Sequence, residues 1–352
     1  MRTFFRDCTL LAAIAAAALP SITWANGCSQ GGSQTAICPL GATGTGLLSS
    51  TLTPSTQATP LAITGVLTSV LSGGLSGAQR TSFNLQGDTG QAAAGGSTRW
   101  NVWGALGQNQ VAYSFAPARS SGNVNLVMGG LDYTFGNNVI VGLAYTDDRT
   151  RIGTQFNNGS LSGNGYSLAP YVAVPLGRNW VFDASIGWGR NKLSQIDNVT
   201  PGVTLTGNTT DKRFFSSVAV SYAAPIGKLQ WNGKGMYLYS EDKIDQFTQS
   251  NNVLVASSTT RVAQVRLGGQ ISYDAGGIVP YAGVTYIYDT QAPSQPVTLG
   301  QTPANDRDAW QLAVGVNFYS KGPLSGSVQY SQDTSRKEVK NNLLIANIAY
   351  RF

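Results

Sequence analysis

From residue 98 to the carboxyl terminus, apolar residues alternate with polar or small ones almost without interruption. Successive side chains of a strand point to opposite faces, so a period of two writes strands rather than helices. Trp310, Leu312, Val314, Val316 and Phe318 share a face, opposite Gln311, Ala313, Gly315 and Asn317. Val265, Leu267, Gly269, Ile271 and Tyr273 do the same against Gln264, Arg266, Gly268 and Gln270. Twelve strands follow, at roughly 98–107, 123–135, 138–150, 160–174, 179–194, 210–224, 228–241, 260–274, 278–289, 308–319, 323–333 and 338–352. Pro170 falls inside the fourth, and its missing ladder donor predicts a bulge there or a strand boundary at that point.

The links between these strands alternate in length. Gly136-Asn137, Leu176-Gly177-Arg178, Ile226-Gly227, Ala275-Gly276-Gly277 and Lys321-Gly322 are short turns. Longer links surround 108–122, 151–159, 195–209, 242–259 and 290–307, with a shorter one near 334–337. Short turns at one end and long loops at the other are the pattern of bacterial outer-membrane barrels. Phe135, Trp180, Tyr222, Trp231, Tyr273, Phe318 and Phe352 lie near the short turns, and Trp188, Phe214, Tyr239, Tyr288, Trp310 and Tyr330 near the long loops. These make two aromatic girdles. Trp180 to Trp188 covers about 26 Å of strand, or about 20 Å of height at a tilt near 40°, close to the apolar band of such a barrel. The fold class predicted is all-β: a transmembrane up-and-down antiparallel β-barrel of about 12 strands, over residues 98–352.

The last strand, NNLLIANIAYRF, places Leu344, Ala346, Ile348, Tyr350 and Phe352 on one apolar face. Alone it fits the edge strand of a soluble sandwich too; the eleven earlier strands and the sorted links favour a lipid-facing stave. Composition agrees. Charged residues are 11 % of the chain, against a usual quarter. Mean hydropathy is −0.07, as expected where polar and apolar residues alternate. The chain has no histidine, which excludes Ser-His-Asp hydrolysis, Cys-His chemistry and histidine metal sites. No enzyme activity and no cofactor are expected. The charge of +6 is spread without a Lys/Arg run, so no nucleic-acid partner is expected.

The amino end reads as a signal peptide over 1–25: Arg2 and Arg6, then the apolar run from Leu10 to Leu19, then small residues before the cleavage position. Ala25-Asn26-Gly27 makes a poor lipobox for Cys28, the lipoprotein alternative. In an exported segment Cys28 and Cys38 are expected to form a small disulfide loop. Residues 26–97 hold at most one element, a helix over 61–79 carrying Leu61, Val66, Leu67, Val70, Leu71 and Leu75 at helical spacing.

The barrel region resembles the translocator (β) domain of autotransporters. Trp100-Asn101-Val102-Trp103-Gly104 at the first strand, the count of twelve and the terminal Ile348-Ala349-Tyr350-Arg351-Phe352 carry the likeness. The resemblance implies a helix inside the lumen, leading to an exported segment. It also implies that Leu344, Ala346, Ile348, Tyr350 and Phe352 form a signal read by the barrel-assembly machinery. The chain departs from the family in having only a short segment ahead of the barrel, with no large passenger. Residues 61–79 contain no Asn, so the self-cleavage of some members at an Asn-Asn pair is not expected.

Three functions fit: export or display of the short amino-terminal segment through the lumen, a porin-like passive channel, or a surface-loop adhesin or structural protein. Asp132, Asp183, Lys234, Gln264, Arg266, Asn317 and Arg351 are the expected lumen-lining residues. Asp147-Asp148 and Asp306 with Asp308 are read as solvated loop acids in preference to calcium ligands. The expected partners are outer-membrane lipid and, during biogenesis, the assembly machinery, with the barrel a monomer.

Overall fold

Alternation over the last 250 or so residues becomes a wall of paired strands in the computed structural model. It describes residues 59–63 and 99–352, apart from 116–117, 137–138, 156, 178, 201, 293–303, 305 and 321–322. The strands are β1 (Trp100–Tyr113), β2 (Ser120–Thr134), β3 (Ile140–Thr154), β4 (Gly159–Pro175), β5 (Trp180–Thr200), β6 (Val203–Ile226), β7 (Leu229–Ile244), β8 (Phe247–Thr248), β9 (Leu254–Val255), β10 (Ser258–Tyr273), β11 (Ile278–Gln291), β12 (Asp308–Tyr319), β13 (Leu324–Thr334) and β14 (Val339–Arg351). All but β8 and β9 form one closed antiparallel barrel of twelve strands, and β8 and β9 make a separate small hairpin. Each barrel strand pairs with its neighbour in sequence, β7 with β10 across the hairpin.

Closure joins β1 to β14, in a register running from Asn101↔Arg351 to Tyr113↔Val339. Trp100 and Phe352 extend it with reciprocal backbone bonds, Trp100 N to Phe352 O at 3.2 Å and Phe352 N to Trp100 O at 3.0 Å. A closed barrel leaves no strand edge, which a backbone inside hydrocarbon requires.

The two faces of the wall differ as the alternation dictates. Leu106, Val127, Leu267, Leu312, Val314 and Ile348 point outward and are each about half exposed. The inner face carries Val124, Leu126, Met128, Phe215 and Ile345 in one buried cluster, interrupted by buried polar residues. Outward aromatics gather at two heights. Trp100, Tyr133 and Phe135 touch edge to face near the short turns, and Trp188, Phe214 and Tyr239 follow one another near the long links. Inside, large rings lie over glycines of the adjacent strand. A β-carbon on Gly130 would overlap the Trp103 ring, and one on Gly187 the Phe215 ring.

Two expectations fail. Residues 195–209 are almost entirely strand: β5 runs to Thr200, β6 starts at Val203, and Gly202 turns the corner with φ of 84°. Likewise β3 reaches Thr154 and β4 starts at Gly159. Outside the apolar band both faces of a strand can be polar, so alternation fades while pairing continues. The β-branched Thr204, Thr206, Thr209 and Thr210 sustain it. At 21 and 24 residues, β5 and β6 are about twice as long as a crossing of the membrane needs. Pro170 makes no bulge either. The β4–β5 register is the same at Leu168↔Trp188 and Tyr171↔Ser185, and only the pairs between are missing. The ladder tolerates the absent donor by leaving a local gap.

Candidate functional site

The barrel interior is the candidate site, and a short helix lies within it. Residues 59–63, here α1, are helical, and all five are buried. Pro60 suits a first helical turn, where its missing N–H costs nothing. Ala62 and Ile63 belong to the same buried cluster as Trp103, Leu126, Met128 and Phe215. The helix thus begins two residues before the sequence expectation, and residues 64–79 lie outside the described residues.

A polar cluster meets α1. Arg213 of β6 grips Asp242 of β7 with two bonds, Nε to Oδ1 at 2.9 Å and Nη2 to Oδ2 at 3.2 Å. Its Nη1 donates to Asp148 Oδ1 of β3 at 3.2 Å and to Thr59 Oγ1 of α1 at 3.0 Å. Asp211, two residues back on the same face of β6, comes within 4.0 Å of Nη2 and accepts from Asn191 of β5 at 2.7 Å. Gly165 of β4 leaves the space that the Asn191 side chain occupies. One cation therefore faces three carboxylates, every one essentially inaccessible. Burial of charge is costly unless pairing and hydrogen bonds offset it. The planar guanidinium with its five donors can serve several acceptors at once, which an ammonium cannot do in that geometry.

A second cluster sits toward the short-turn end. Trp103 Nε1 donates to Tyr171 Oη at 2.9 Å, Tyr171 Oη donates to Asp132 Oδ2 at 2.8 Å, and Asn101 Nδ2 donates to the same oxygen at 3.0 Å. A third joins β10 to β14. Arg266 donates to Gln264 at 3.1 Å and to Gln311 at 2.8 Å; Gln264 donates to Asp289 at 2.7 Å, which Arg336 meets at 2.9 Å. Gln311 and Asn341 both donate to Asp333.

The residues expected to line the lumen therefore fall into separate groups. Asp132 joins the Trp103–Tyr171 cluster, and half-buried Arg351 interacts with it electrostatically. Gln264 and Arg266 belong to the third cluster. Asp183 is buried with Lys234 Nζ 4.0 Å away, and Asn317 is half-buried on β12. Leu344, Ile348, Tyr350 and Phe352 face outward and are exposed, with Ala346 half-buried among them. Cys28 and Cys38 lie outside the described residues.

The Arg213 cluster was not singled out from sequence. Asp148, expected as a solvated loop acid, is instead buried and bonded to Arg213. Strand parity held the signal: Asp211, Arg213, Phe215 and Ser217 share one face of β6, so an aspartate and an arginine had to point into the barrel together. Asp306 instead accepts from the backbone of Lys337 and Glu338. Among the described residues no group of three or more acidic or sulfur side chains is disposed to hold a metal ion; in the Arg213 cluster the guanidinium fills the place a cation would take.

Comparison with known proteins agrees with this geometry. A family model, the autotransporter β-domain, matches residues 102–331. The translocator domain of the autotransporter NalP from Neisseria meningitidis has a similar fold, with a TM-score of 0.63 and 14 % identity over 82 % of this chain and 99 % of that one. The β-domain of the Bordetella autotransporter Brka gives 0.61 and 15 % over 72 % and 100 %. The transport unit of AIDA-I from Escherichia coli gives 0.52 and 11 % over 81 % and 98 %. No curated protein matches by sequence. The WNVWG opening, the twelve closed strands and the matched span converge on one conclusion: this outer-membrane β-barrel belongs to the autotransporter β-domain family.

Proposed function

We propose that the barrel is a translocator that carries its own amino-terminal segment through the lumen and holds it there by α1. The observation that carries the reading is the burial of residues 59–63 inside the wall, with Thr59 bonded to Arg213. That segment precedes β1 in sequence, and β1 starts at the short-turn end, beside Phe352. Short turns face the periplasm in outer-membrane barrels. Thr59 reaches Arg213, whose neighbour Phe214 belongs to the outer girdle, so the amino end of α1 sits at the outer part of the lumen. Twelve strands lie between the side-chain-filled eight and the open sixteen, and a helix of about 10 Å diameter fits between them. The apolar face of α1 suits passage along an interior lined by Ala105, Ala144, Ala169 and Ala173. The reading requires no chemical step. Bonded side chains and α1 occupying the lumen disfavour an open passive channel.

The test is labelling of Cys28 and Cys38 in intact cells, after mild reduction, with a membrane-impermeant maleimide. Labelling equal to that in permeabilised cells is the expected result. Labelling only after permeabilisation would mean the segment stays in the periplasm. A steady conductance in planar bilayers, unchanged by deleting residues 26–97, would support the channel instead.

A further inference from the structure

Just beyond the outer girdle, the outer face of the wall gathers cations over β5, β6 and β7. Trp188 of β5 lies opposite Phe214 of β6, with ring centroids 6.2 Å apart, and Phe214 is 6.2 Å from Tyr239 of β7. The next outward residues along β5 and β6 are Arg190 and Lys212; on β7 Glu241 follows Tyr239 and Lys243 follows Glu241, and Arg190, Lys212 and Lys243 are all exposed. They are direct partners across the sheet: Arg190↔Lys212 and Lys212↔Lys243. Like charges directly opposite each other repel and destabilise a sheet. Three in one row, on adjacent strands about 4.8 Å apart, make a spacing suited to an anion with several oxygens.

The surroundings neutralise the row only in part: Lys212 meets Asp245, whereas Arg190 and Lys243 have no acid within salt-bridge distance among the described residues. Arg151 and Lys192 add positive charge on the same outward face, and neither has an acidic partner within salt-bridge distance among the described residues. The outward acids nearby are each committed to one cation. Asp147 meets Arg149 at 3.6 Å, Asp245 meets Lys212 at 3.1 Å, and Glu241 meets Arg261.

The opposite side of the barrel is different. At the corresponding ends of β1, β2 and β13 the outward residues are the neutral Gln108, Gln110, Asn123, Asn125 and Gln332, and β14 between β1 and β13 adds a single cation, Lys340. Gln108 and Asn125 bond one another at 3.2 Å. A general solubilising surface has no reason to set three cations as direct cross-strand partners on one arc.

We propose that Arg190, Lys212 and Lys243 form a binding row for the phosphates of a glycolipid in the outer leaflet. Trp188, Phe214 and Tyr239 would then lie against its acyl chains. On β5 and β6 the row follows the girdle directly, and on β7 the intervening Glu241 is held by Arg261, so a lipid seated on the aromatics brings its headgroup to the cations. An anionic surface attracts each nearby Lys or Arg enough to make the effect of a triple substitution large. The inference depends on the barrel lying in the outer membrane and holds whether or not it exports a segment.

The test uses the full barrel purified in neutral detergent, with diphosphoryl lipid A, its monophosphoryl form and inorganic phosphate as probes. Retention is read by native mass spectrometry, and thermal protection by the midpoint of heat-modifiable gel migration. Wild-type barrel is expected to retain the diphosphoryl lipid, to retain the monophosphoryl form less, and to gain no protection from millimolar phosphate. The variant R190Q/K212Q/K243Q should bind the diphosphoryl lipid about 100-fold more weakly. Should it fail to fold, R190Q and K243Q singly should each lose about fivefold. A control with Gln108 and Gln110 replaced by Ala should bind as wild type. Equal retention of both lipid forms, equal protection by free phosphate, or unchanged affinity in the charge variants would overturn the proposal.

Discussion

Lys212 and Arg213 are consecutive residues of β6, yet they live under different rules. The Lys212 side chain is 59 % exposed and meets a single exposed acid, Asp245, at 3.1 Å. The Arg213 side chain is fully buried, gripped by Asp242 and bonded to Asp148 and Thr59. Only strand parity separates them. On the outer face a cation keeps water or a lipid headgroup and can stand in a row of its own kind. On the inner face a cation exists only where side chains from several strands converge to satisfy it. The wall thus separates charge that serves association from charge that fixes the interior.

Breaking the inner side should have the largest effect. Arg213→Met leaves three buried carboxylates without their cation, and should cost ~3–5 kcal/mol. The heat-modifiable midpoint should fall steeply. Lys212→Met, its neighbour, should cost under about 1 kcal/mol, because exposed ion pairs contribute little. Similar midpoints for the two variants would erase the distinction between the faces.

The next effect sharpens the outer side. Ile348 is 51 % exposed on the apolar band. Ile348→Arg should cost ~2 kcal/mol, since a lipid-facing cation is destabilising between the girdles. Urea titration in lipid vesicles measures it, and a neutral outcome would place this face out of the bilayer.

Tyr171→Phe tests the second inner cluster with a smaller loss. It removes the acceptor for Trp103 Nε1 and one donor to Asp132, leaving both partners buried. About 1–2 kcal/mol is expected in the same titration.

The smallest effect concerns the part of β5 beyond the outer girdle. Asp197 accepts from Gln195 and Gln249, yet burial pushes its carboxyl above the usual carboxylate range, with those bonds pulling the other way. A carboxyl that takes its proton more readily when folded favours the fold as pH falls. Hydrogen exchange over 247–255, corrected for its intrinsic pH dependence, should therefore slow between neutral pH and about pH 4. Asp197→Asn should remove that dependence; a dependence that survives would assign it elsewhere.

Strand number and direction were legible because burial on one side and lipid on the other enforce strict alternation. Trp310 to Phe318 and Leu344 to Phe352 could hardly be read otherwise. The ends of β5 and β6 were not legible, because beyond the band the outward face of β6 carries Thr204, Thr206, Asn208 and Thr210 in place of apolar residues, and the alternation that marks a strand is lost. The Arg213 cluster was half legible. Parity put Asp211 and Arg213 on one inner face, but the convergence of Asp148 and Asp242 depends on the registers Leu126↔Asp148 and Arg213↔Asp242, which no local pattern specifies. Asp148 therefore passed for a loop acid, beside its outward neighbour Asp147.

The β1–β14 seam has a consequence in time. Most of the ladders join segments separated by a short link, so loop closure costs little and each hairpin can form as its two strands meet. The seam alone joins residues about 250 apart in sequence, Asn101 to Arg351. Contacts of such long range are the slow ones in folding. The wall must exist as an open, curling sheet with two unsatisfied edges until β14 arrives. Its lifetime in that form, rather than the strength of any hairpin, sets how long the chain is open to pairing with a stranger.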